Sequence, residues 1–191
     1  MIPGNDSAIK AQTDRIDNLA TDGLVGVGNS LAYRVHEIEK HFHSIERWYG
    51  SDGDNTMSTA NNLTPWTLAT DSSSANTYGT EVQFAAINDV LNSDMGITVV
   101  KFDIHRVAVV ESTLNDSTFM VQIWAGTGVF GDATLKTEFP YRTGGNAAEA
   151  QPINVQMGRT AVATKLWARA KCATASEQSL QLLIGIHAYA G

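Results

Sequence analysis

From Pro65 onward the apolar residues recur at every second position, and this period restricts the fold more than any other feature. Phe119, Val121 and Ile123 alternate with Thr118, Met120, Gln122 and Trp124. Leu166, Ala168, Ala170 and Cys172 alternate with Lys165, Trp167, Arg169 and Lys171, and Leu180, Leu182, Ile184, Ile186 and Ala188 share a third stripe. A period of two is that of a β-strand, whose successive side chains point to opposite faces. The pattern predicts strands over 65–70, 80–87, 97–111, 117–125, 133–139, 151–157, 161–172 and 178–189, each bounded by Gly, Pro, Asn, Asp or Ser clusters. About eight strands with no helix between them predict an all-β, antiparallel β-sandwich. Their unequal lengths and mixed loops make it jelly-roll-like. At 191 residues, 43% of them hydrophobic, the chain can bury one sizeable core and carry an appendage.

The first fifty residues follow another rule. Residues 8–22 have helix-compatible composition, and Gly23, Gly26 and Gly28 then break any continuous helix. A second helical segment is predicted from Asn29 or Ser30, either of which can cap it, to Gly50, which can end it. Leu31, Val35, Ile38, Phe42, Ile45 and Tyr49 fall at alternating spacings of four and three, the seam of a coiled coil. Such a stripe either lies on the domain's own core or joins a short bundle of three helices. Its place behind a glycine hinge and ahead of an all-β domain favours the bundle, and these six residues are the expected oligomer interface. Residues 51–64 are polar and predict a linker. The expected organisation is an arm and helix over 1–50, a linker over 51–64 and a head over 65–191.

The formal charge is −7, and no basic run exceeds two residues. Neither nucleic acid nor an anionic membrane surface is therefore an expected partner. Charged residues make up only 17% of the chain, against ~25% in an average globular protein, which suits a surface used for protein contact. Met1–Asp6 lacks the basic and apolar segments of a secretory signal, so synthesis in the cytoplasm is expected.

The sequence offers several fragments of chemistry and completes none. Gly126–Gly131 matches G-x-G-x-x-G, but Asp132–Pro140 does not continue as the helix a dinucleotide site needs, so a loop between strands is expected. Asp52-Gly53-Asp54-Asn55 opens like a calcium loop without its later ligands. His36, His41 and His43 lack a ligand pair one turn apart, and His105 and His187 stand in separate strands without a nucleophile at motif spacing. Cys172 lies on an alternating stripe and reads as a small core residue. No catalytic residue, metal site or cofactor is expected, and the chain is read as no enzyme. Trp124 and Trp167 are different, because they oppose the apolar stripes. They form either a second buried face or an exposed aromatic surface that, with Gln122, contacts a glycan or partner.

The run from Gly26 to Glu39, then Glu46–Gly50 and Pro65–Leu68, together with Ile123–Gly128 and the closing Gly185–Gly191, resembles tailed-phage virion proteins. The likeness spans about residues 25 to 191. It implies a homotrimeric jelly-roll accessory protein of the virion: a capsid decoration protein, a head fibre or a fibre-base domain. Its partners would be further copies of itself and the major capsid protein or another virion protein. A receptor or carbohydrate-binding domain acting on a host-surface glycan is the alternative. The first 25 residues lie outside the likeness and are expected to dock.

Overall fold

The computed structural model describes residues 46–53, 56–58, 63–86, 98–144 and 151–190, all within a compact unit of Ile45–Gly191. Of the expected interface residues, Leu31, Val35, Ile38, Phe42 and Ile45 lie outside the described residues, as do His36, His41 and His43.

Among the described residues there are ten strands: β1 Glu46–Tyr49, β2 Trp66–Ala69, β3 Val82–Ala85, β4 Val99–Ser112, β5 Thr118–Gly126, β6 Thr134–Arg142, β7 Gln151–Asn154, β8 Thr160–Ala161, β9 Lys165–Cys172 and β10 Ser179–Ala190. They form two antiparallel sheets. In the first, β10 is flanked on one side by β4 and on the other by β2 and β1, which pair with successive stretches of it; β7 and β8 share the far side of β4. The second runs β3–β9–β5–β6. The pairings are nested: β5 with β6, then β4 with β7 and β8, then β3 with β9, then β2 with β10.

The stripes meet between the sheets as their alternation predicts. Phe102, Ile104, Leu182, Ile184 and Ile186 of the first sheet are buried with Phe119, Val121, Ile123, Leu166 and Ala170 of the second in one core. Each large apolar side chain so buried contributes roughly 1.5–3 kcal/mol. Trp66 of β2 stacks on Phe84 of β3 at 4.6 Å, joining the two sheets. Cys172 is buried in the same core.

Two boundaries differ from expectation. Glu46–Tyr49 is a strand, not the end of a helix, and Tyr49 is fully buried in the sandwich rather than set in a helical seam. Helical spacing and strand alternation both leave Tyr49 apolar. What decides is the edge of β10, where Ile184–His187 need backbone partners and β1 supplies them. The described part of 51–64 is also anchored to the head at two points. Met57 is buried, Ser58 N–H donates to the Gly50 carbonyl at 2.8 Å, and Ser51 N–H donates to the Thr64 carbonyl at 2.6 Å. Gly50 permits this turn, because a Cβ there would lie 2.2 Å from the Thr64 oxygen. The head thus begins at β1, ahead of Pro65.

Candidate functional site

The outer face of the second sheet carries an organised group of aromatic and charged side chains. The pleat that sends Val121, Ile123, Ala168 and Ala170 inward sends Gln122, Trp124, Trp167 and Arg169 outward. Register then sets them in rows. Trp124 stands opposite Trp167, and Gln122 stands between Arg169 of β9 and Glu138 of β6.

Gln122 is the hub. Its Oε1 accepts from Arg169 Nε at 2.9 Å and from Trp124 Nε1 at 3.2 Å, and its Nε2 donates to Glu138 Oε2 at 2.5 Å. The same Glu138 oxygen accepts from the Tyr78 hydroxyl at 2.7 Å. The Arg169 guanidinium lies 4.7 Å from the Tyr78 ring centre, 5.1 Å from Trp124 and 5.4 Å from Phe130, within cation–π range of all three. Lys171 approaches the Tyr78 ring at 5.0 Å.

The glycine-rich segment after β5 closes the face. It passes through a short 3₁₀ turn at Phe130–Asp132, not a dinucleotide-binding helix, and turns Phe130 edge-on to Trp124 at 5.3 Å and Trp167 at 6.2 Å. Lys165 Nζ donates to the Gly128 carbonyl at 3.0 Å and pins the loop. Charge follows from these contacts. The hydrogen bonds from Tyr78 and then Gln122 hold the Glu138 carboxyl below the usual carboxylate range. Burial, reinforced by Glu138, pushes the Tyr78 phenol upward.

The three expected contact residues are brought together but are not equally available. Trp167 is 5% exposed and Gln122 8%, whereas Trp124 is half-buried. Trp167 is therefore support beneath Phe130, and Gln122 orients its neighbours. Leu135, the register partner of Trp124, is 42% exposed, and Val129, which precedes Phe130 in the loop, is 67% exposed. Tyr78, Phe130, Glu138 and Arg169 were not singled out in the sequence. Arg169 and Glu138 stand at outward positions of alternating strands, which was the one signal available for them; Tyr78 and Phe130 arrive from loops, where alternation says nothing. The cluster contains no serine, cysteine or histidine. It is a hydrogen-bonded, partly apolar face with one carboxylate, Glu138, and three cations, Lys165, Arg169 and Lys171.

No protein-family model matches the chain, and no curated protein sequence matches it.

Proposed function

We propose that this chain is a non-enzymatic structural protein of a tailed-phage virion, with the sandwich displayed as a head and the residues before Ile45 serving attachment and self-association. The nested strand pairing carries the reading. A ribbon in which β5 and β6 form the tip, and β2 and β10 the base, rolls into two sheets with the topology of a jelly roll. Jelly rolls recur in viral capsid domains, lectin domains and cupins. The likeness of Gly26–Glu39 and the other quoted runs to virion proteins narrows that choice. A homotrimer set on symmetric sites of the major capsid protein, or of another virion protein, gains avidity without strong single contacts.

A second reading concerns what the head touches. Exposed Leu135 beside the half-buried Trp124, with Val129 exposed in the loop that carries Phe130, favours a contact surface on the outer face of the β3–β9–β5–β6 sheet. A host-surface glycan stacked on Trp124 is the form this takes in a fibre or receptor-binding head.

The test is attachment. Full-length chain and a fragment beginning at Ile45 are mixed with particles lacking the protein and sedimented with them. The proposal expects the full chain to co-sediment and the fragment, still folded, to remain in the supernatant. Equal attachment of the fragment would place docking in the sandwich, and attachment of neither would overturn the reading.

A further inference from the structure

The outer face of the other sheet holds a second cluster, which the site above does not use. His187 of β10 is the register partner of Glu46 in β1 on one side and of Asp103 in β4 on the other. His105 joins them through a bulge. Ile104 pairs with Ile186 and Arg106 with Gly185, so His105 is the extra residue of β4. A bulge breaks the alternation, and the consecutive His105 and Arg106 both come to the outer face. The His105 and His187 rings stack at 4.2 Å with 16° between their planes. One ligand atom from each of Asp103, His105 and His187 falls within 4.8 Å of the others.

We propose that Asp103, His105 and His187 form a binding site for a divalent transition-metal ion of the zinc type. Two imidazole nitrogens and one carboxylate oxygen are a donor set zinc takes, with its fourth position left to water. The surroundings fit that use. The Tyr189 hydroxyl donates to Asp103 Oδ2 at 2.7 Å and fixes the carboxylate, while Asp103 Oδ1 is buried and receives no hydrogen bond from the described residues. A buried carboxylate oxygen in that condition calls for a cation or donor. Glu46 Oε2 lies 3.6 Å from His187 Nε2, where an outer carboxylate orients a metal-bound imidazole. An imidazole lone pair lies in its ring plane, so one of the stacked rings turns about its Cβ–Cγ bond when both bind one ion. The bound ion pins β4 to β10 at the bulge, where their ladder is interrupted.

The chain has five histidines, and replacing His36, His41 and His43 with Gln leaves only His105 and His187. The full-length triple variant, stripped of metal, is titrated with zinc chloride while the two imidazole side chains are followed by NMR. Both should shift together and saturate at one equivalent, and the thermal midpoint of the same sample should rise. Adding His105→Gln removes a ligand and should weaken binding by at least the ~10-fold that losing an outer partner of a ligand costs. A magnesium titration should move neither ring. If neither ring or only one responds to zinc, or if zinc binds as tightly after His105→Gln, the assignment is wrong. The spectrum itself reports whether each variant is folded.

Discussion

Glu46 and Arg106 meet across an intervening strand, directly over Gly185 of β10. Arg106 Nε donates to Glu46 Oε1 at 2.8 Å and to Oε2 at 3.1 Å, and its Nη2 makes a further contact with Oε2. Glycine leaves room for this, since a Cβ at 185 would lie 2.6 Å from Glu46 Oε1.

That geometry separates two glycine substitutions. In Gly185→Ala the obstacle is the end of a flexible side chain, which can swing aside and give up a part-buried ion pair, so the loss should stay at about 1 kcal/mol. In Gly50→Ala the obstacle is the Thr64 backbone oxygen at 2.2 Å, and the turn itself must shift, at about 1–3 kcal/mol. Urea denaturation of both variants should rank Gly50→Ala as clearly the less stable.

Stability should fall in alkali. Burial and the hydrogen bond to Asp103 push the Tyr189 phenol up to about 12 from 10.0. A phenol raised in the folded state holds its proton more tightly there than in the unfolded chain. Its stabilisation is therefore fully present below pH 10 and is lost as pH climbs toward 12. Tyr78 acts in the same direction. Urea midpoints measured from pH 8 to 12 should decline above pH 10, and Tyr189→Phe should flatten that decline in part. A midpoint constant across the range would refute the assignment.

The two paired tryptophans should behave unequally. Trp167→Ala removes a buried ring and should cost about 3–5 kcal/mol. Trp124→Ala removes a half-buried ring and should cost distinctly less, while abolishing whatever the outer face binds. A glycan array probed with the intact protein and the Trp124→Ala variant separates stability from contact, provided both give the same circular dichroism spectrum.

The proposed self-association rests on the apolar spacing of Leu31, Val35, Ile38, Phe42 and Ile45 in the sequence. Ile38→Asp would set a charge into an apolar seam. Sedimentation equilibrium should find a trimer for the intact chain and dissociation for the variant, with the β-sheet signal unchanged. A monomeric intact chain at micromolar concentration would contradict the seam.

Much of the sandwich was legible because alternation is a direct record of which face is buried. All eight expected strands have counterparts, from Trp66–Ala69 to Ser179–Ala190, although the stretch 161–172 divides into β8 and β9. Tyr49 was misassigned because four and three spacings and a short strand both keep one apolar residue in phase, and only the unpaired edge of β10 decides between them. The outer aromatic face was half legible. Trp124, Trp167 and Gln122 stood on the right side of their strands, but that Phe130 would cover Trp167 depended on a loop. The His105–His187 stack was illegible, since it needs both the long-range pairing of β4 with β10 and a bulge that brings an extra residue to the surface.

The central claim is membership of a virion. Quantitative mass spectrometry of purified particles, from the lysate in which the chain is produced, tests it most directly. The account predicts that the chain is a stoichiometric particle component with a copy number divisible by three: hundreds of copies for a capsid decoration, a few tens or fewer for a vertex or tail part. Particles that are complete and infectious while containing none of the chain would contradict it.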